Sequence, residues 1–208
     1  MMMMSNGKST THSNCWGDDV DDDVEIRIGF SRSRGGYKKW FANFIRYGES
    51  FEQLVLHKRW SILPYSHIYL TWHSNTAKTD IVYHASGTML HFLNRKFFDK
   101  VAITSHEYHF KIKRSEYKQL IGFCMSNAGA DYGTQQLVGI AWVKINRLFG
   151  VKIKNPYGDG RRSQVCSEMV GYFMEHCLGW DVGIDLDVAS PFDIDMYLTS
   201  KNIKRVDV

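Results

Sequence analysis

The stretch SQVCSEMVGYFMEHCLGW, residues 163–180, limits the fold more than any other part of the chain. At helical spacing Val165, Met169, Phe173 and Cys177 form one i,i+4 row, and Cys166, Val170, Met174 and Leu178 form the row beside it. Two adjacent rows make a broad apolar face that has to pack on something. Glu168, Tyr172 and Glu175 fall outside it, and Gly179 is placed to cap the end of a helix over 164–178. Cys166 falls in the first turn, where free N–H groups and the macrodipole favour a thiolate. Cys177 lies eleven residues further on, within about 20° around the axis but ~16 Å along it, at the end where a thiolate is disfavoured. Position alone leaves two readings of Cys166. It is an activated nucleophile, or it is a small apolar residue at a helix start, the commoner role of a free cysteine.

The neighbouring segments are of both kinds. VEIRIGFS, YSHIYLTW, DIVYHAS and SHEYHFKIK predict strands. GGYKKWFANFIRYG predicts an amphipathic helix with Trp40, Phe41, Phe44 and Ile45 on its apolar side and Gly48 as its stop. GTMLHFLNRKFFDK predicts a short helix, and SEYKQLIGFCMSNAG one capped by Ser115 and ended by Gly129. TQQLVGIAWVKINRLFG places Leu137, Ile140, Ala141, Ile145 and Leu148 at helical spacing, and SPFDIDMYLTSKN holds a last short helix. The expected class is α+β, a small antiparallel sheet packed against several helices. Residues 24–208 suit one domain, while residues 1–23, polar and ending in DDVDDD, predict a disordered tail. NGKST in that tail is not a phosphate-binding loop: the required earlier glycine is replaced by Met2, and no strand precedes it.

A net charge of +4, with both signs mixed and no basic stripe, argues against a nucleic-acid partner. Cys15, Cys124, Cys166 and Cys177 include no CxxC pair, which predicts free thiols made in a reducing compartment. No apolar run reaches about 18 residues, so no membrane span is expected. The N-terminus lacks the apolar region of a secretory signal, and the expected location is the cytoplasm.

A nucleophile needs a base, and the chain has nine histidines. His67 and His84 stand out, each inside a predicted strand, with the polar connection HSNTAKT joining the two as a hairpin. With Trp72 opposite Asp80, His67 faces Ala85. A shift of one residue, supplied by a bulge, brings it opposite His84 with both rings facing the same way. In the catalytic reading His67 is the base for Cys166 and His84 holds the ring of His67 through its other nitrogen. The alternatives are two polar residues on the wet face of a hairpin, or a metal site made by the two imidazoles. His106 and His109, three apart in HEYHF, point to opposite faces of a strand and suit a metal poorly. No metal or cofactor is expected.

YSHIYL followed by IVYHASG resembles the histidine strand and third-residue strand of the NlpC-type papain-like cysteine hydrolases. VCSEMV resembles their nucleophile segment, a cysteine and serine at a helix start. His67 and His84 precede Cys166, the order of the circularly permuted, YiiX-like branch. IRIGFSRSRGGYKKWFANFIRYG, ADYGTQQLVGIAW and SPFDIDMYLTS are similar to that branch's opening strand and Trp-containing helix, its Tyr-containing turn and its closing Pro-Asp segment. The resemblance runs over residues 24–200. It implies a permuted papain-like fold with Cys166 as nucleophile, His67 as general base, His84 as orienting residue and a backbone N–H at the helix start as part of the oxyanion hole. Tyr132, Tyr157 and Ser167 are the further oxyanion or cleft candidates. The chain departs from the ordinary pattern at the nucleophile, where Val165 replaces an aspartate and Ser167-Glu168 replaces Ser-Gly. The implied activity is a thiol hydrolase cleaving an amide, isopeptide or related acyl bond, and the alternative is a catalytically inactive binding module on the same fold. The implied substrate is a peptide or acyl-bearing molecule, cell-wall peptides among them. The implied origin is bacterial or phage, in the cytoplasm or a virion. RSRGG and NPYGDGRRS are either loops that meet an acidic substrate or plain solvated connections.

Overall fold

The computed structural model describes residues 23–35, 62–86, 89–157 and 163–208, with residues 43, 46–48, 50, 51, 53–55 and 58 between the first two stretches. The expected tail up to residue 22, the apolar side of the first expected helix (Trp40, Phe41, Phe44 and Ile45) and residues 158–162 of the second Arg-rich loop lie outside the described residues.

The chain runs β1 (Val24–Ser33), β2 (His67–Ser74), β3 (Thr79–Ser86), β4 (Met89–Asn94), α1 (Arg95–Val101), β5 (Ala102–Ile112), α2 (Arg114–Asn127), β6 (Asp131–Tyr132), α3 (Thr134–Leu148), β7 (Ser163–Gln164), α4 (Cys166–Leu178), a 3₁₀ turn (Leu186–Val188), α5 (Pro191–Ser200) and β8 (Lys204–Asp207). The strands form one sheet in the order β7-β6-β4-β3-β2-β1-β5-β8, antiparallel throughout except for β6 and β7. The class is α+β, and the sheet is larger than expected.

The pleat sorts side chains onto two faces. Ile26, Ile28, Phe30, Ile68, Leu70, Trp72, Tyr83, Ala85 and Tyr108 form the main core with Met169, Val170, Phe173 and Met174 of α4. The opposite face carries a smaller cluster, Tyr69, Val82, Phe98 and Ala102, covered by α1. The first half of α4 is buried on all sides, because the turn at Leu186–Val188 covers its outer face. Gly171 allows that approach: a Cβ there would meet Cδ2 of Leu186 at 2.4 Å. Glu168, expected on the outer surface of this helix, is therefore buried.

Other expectations need correction. MLHFLN, expected within a short helix, continues the sheet as β4, since Leu90 goes into the core while His91 pairs with His84. The helix begins only at Arg95, where the Asn94 side chain accepts from the N–H of Lys96. Ser115 lies inside α2, whose N-cap is Lys113. Gly48 does not stop the first helix, since residues 50, 51 and 53–55 are helical too. Gly129, with φ +84°, takes the left-handed backbone that follows α2, and Gly179, with φ +63°, caps α4.

Candidate active site

The strand registers place the candidate residues along the sheet. Ser31 pairs with His67, Ser86 with Met89, Met89 with Asp131, and Asp131 with Ser163. Tyr69 pairs with His84, so two residues further His67 stands level with Ser86. Ser31, His67, Ser86, Met89, Asp131 and Ser163 thus form the last row at one end of the sheet. β7 runs outward past this row through Gln164, and α4 starts immediately beyond it. The helix then crosses back over β2 and β3. At its far end Trp180 packs on Phe110, with ring centroids 5.3 Å apart, in the row of Ile26 and Trp72. The lengths agree: thirteen helical residues rise ~20 Å, and the five steps from His67 to Trp72 cover ~17 Å. The N-terminus of α4 and the start of β2 therefore share one end of the sheet.

The imidazoles meet, though not in the expected register. Trp72 pairs with Ile81 rather than Asp80, because the turn takes only residues 75–78 and both strands run further into the connection. His67 and His84 are therefore diagonal neighbours on one face, with Nε2 of His67 3.2 Å from Nδ1 of His84. Their rings pack edge-on at 5.4 Å. His84 is also packed against His91 and Phe98, which sets it on the face of α1. Burial, and after it the charge of His91, lowers His67 to about 4. His67 is thus a neutral imidazole near neutrality, the form that accepts a proton. When its Nε2–H donates to Nδ1 of His84, its Nδ1 keeps a free lone pair.

Cys166 is the first residue of α4, 3% exposed, and belongs to the main core cluster on the other face. It is a free thiol, as are Cys124 and Cys177, and Cys15 lies outside the described residues. Burial and then the proximity of Cys166 push the Tyr132 phenol well above its ordinary value. Tyr132 is therefore a protonated hydroxyl beside the thiol. Of the two candidate tyrosines, Tyr157 lies exposed at the surface. The Ser167 hydroxyl donates to the Ala189 carbonyl at 2.7 Å, which ties α4 to the segment outside it. The buried Glu168 carboxylate accepts from the N–H of Val165 at 3.4 Å.

Two features escaped the sequence reading. Gln164, two residues before Cys166, is fully buried, and neither amide atom has a hydrogen-bond partner among the described residues. Its adjacency to Cys166 was the one available signal. The second is Asp195 of α5, whose carboxylate accepts from the hydroxyls of Tyr65 at 2.5 Å and Tyr108 at 2.6 Å and lies 3.1 Å from Nε2 of His106. His106 stacks on Phe30, whereas His109 turns to Glu25 and Glu107 on the other face, the divergence expected for residues three apart on a strand. Among the described residues no group of three or more His, Cys, Asp or Glu is arranged to hold a metal ion, and no helix is long and apolar enough to cross a membrane.

Compared with known protein families, with curated proteins and with solved structures, the chain matches none of them.

Proposed function

We propose that the chain is a permuted papain-like thiol hydrolase of an amide, isopeptide or related acyl bond, with Cys166 as nucleophile, His67 as general base and His84 as the residue that orients it. The observation that carries the reading is that α4 begins at the end of the sheet where β2 begins, with a neutral His67 already bonded to His84 in the last row. The reaction requires the Cys166 thiol and Nδ1 of His67, which stand on opposite faces at this end of the sheet, to come within hydrogen-bond reach as substrate binds; the thiol then passes its proton to Nδ1 of His67 as Sγ bonds to the carbonyl carbon. The π pair moves to the carbonyl oxygen. When it returns, the bond to the leaving group breaks and His67 protonates that group. Water then attacks the acyl-enzyme by the same route. His84 keeps the His67 ring aimed throughout, the part played by the third residue of a triad.

A binding module on the same fold is the second reading. It is favoured by the burial of Cys166 and by the placing of the imidazole pair on the face opposite the core that holds the thiol. Iodoacetamide labelling located by peptide mapping separates the two. A hydrolase labels at Cys166 far faster than at Cys177, and His67→Ala slows Cys166 by about 10²-fold. Equal labelling of both cysteines, unchanged by His67→Ala, refutes catalysis.

A further inference from the structure

Helix α3 is apolar on two sides. Ile140 and Val143 are buried on the inner side. Val138, Trp142, Ile145 and Phe149 follow one another at steps of four, three and four residues, which sets them in one stripe along the helix and onto its cap. All four stand exposed, Phe149 at 80%, and so does Val151 just beyond. Apolar side chains scattered singly over a surface are ordinary, but a continuous stripe that includes a tryptophan and a phenylalanine marks a surface that meets something.

The charge around the stripe has one sign. Residues 134–157 hold Lys144, Arg147, Lys152 and Lys154 and no aspartate or glutamate. Lys144 is taken up by Asp193, with Nζ 3.2 Å from the carboxylate. Arg147, Lys152 and Lys154 are exposed, and they line a surface depression with Val151 and Asp185 at the end of the stripe. A nucleic acid would use the cations and leave the apolar stripe in water. In an isologous dimer the patch would meet itself, with three cations to one carboxylate in each copy. A bilayer with anionic headgroups suits both parts at once. The apolar side chains enter the interface, while the long basic side chains reach back to the headgroups. No described helix is long and apolar enough to cross a membrane, but a helix lying on one needs only a single apolar face.

We infer that the outer face of α3 docks the protein on an anionic lipid surface, with Val138, Trp142, Ile145 and Phe149 in the interface and Arg147, Lys152 and Lys154 on the headgroups. The inference uses neither Cys166 nor the two imidazoles, so it holds with or without the hydrolase reading.

Co-sedimentation of the full chain with vesicles tests it. One set is phosphatidylcholine alone, and the other is equal parts of phosphatidylcholine and phosphatidylserine. The protein is expected to bind the mixed vesicles, and to bind phosphatidylcholine alone at least about tenfold more weakly. Arg147→Glu with Lys152→Glu should weaken binding to the mixed vesicles by about 10²-fold. Trp142→Ala with Phe149→Ala should weaken it as much, by about 10²-fold, through lost apolar burial. Ile145→Lys should also weaken it, although it adds a cation. Because these side chains are exposed, the unfolding midpoints of the variants should stay within about 2 °C of wild type. No binding to the mixed vesicles, or equal binding to both kinds, overturns the inference. So does unchanged binding by Ile145→Lys or by the Trp142→Ala, Phe149→Ala pair. A dimer in analytical ultracentrifugation that this pair turns to monomer, with no vesicle binding by wild type, assigns the face to a second copy and overturns it too.

Discussion

The Tyr69 ring lies across Gly29, and its hydroxyl donates to Oε1 of Glu107 at 2.6 Å on the strand beyond. Gly29 is the register partner of both residues, so the ring spans a whole strand. Arg95 completes the arrangement by pairing with the same carboxylate. A Cβ on Gly29 would sit 2.1 Å from Cζ of Tyr69, closer than atoms can approach. Gly29→Ala must therefore displace the ring and break its bond to a buried carboxylate. The expected loss is about 2–4 kcal/mol in urea unfolding. Adding Tyr69→Ala should return part of it as a coupling between the two positions.

The neutral state of His67 gives stability a pH dependence. In the unfolded chain its pKa is near the ordinary 6.5, and in the folded chain it is about 4. Between those values the unfolded chain binds a proton that the folded chain does not. Stability from this group is complete above about pH 6.5 and falls by up to about 3 kcal/mol as the pH drops through about 4. His67→Gln should lose correspondingly less when urea midpoints at about pH 7 and about pH 4 are compared. In wild type, the acid limb of Cys166 acylation should fall near pH 4.

Asp195 holds α5 to the sheet. Burial alone would raise its pKa, but hydrogen bonds from His106, Tyr108 and Tyr65 outweigh that and lower it. Its contribution is present above the unfolded aspartate value, about 3.9, and is lost as the pH falls through the lower folded value. Asp195→Asn keeps the shape and removes the charge, and it should cost about 2–4 kcal/mol in thermal or urea unfolding. Asp195→Ala, which takes away the carboxylate from Tyr65, Tyr108 and His106 and leaves a gap in its place, should cost more.

The legible parts of this fold are those with a strong period. Alternation marked β1, β2, β3 and β5, and the double apolar row marked α4 with its cysteine at the start. β4 was read as helix because MLHFLNRKFFDK joins a short strand to a helix without a glycine or proline between them. β6 and β7, two residues each, are too short to show any period. The pairing of His67 with His84 was legible as proximity on one face. The register was not, because it depends on a four-residue turn whose polar neighbours, His73 and Ser74, belong to the strand. The isolation of Gln164 was out of reach, since an unpaired amide is a property of what surrounds it and not of its own position in the chain.

The hairpin turn at residues 75–78 stands at the end of the sheet away from His67, with seven residues of β2 between them. It is also remote from the start of α4, which returns across the sheet to reach that end only with Trp180. A dye, an affinity tag or a surface anchor joined there would project from the rear of the molecule. The opposite end, with His67 and the start of α4, would be left clear.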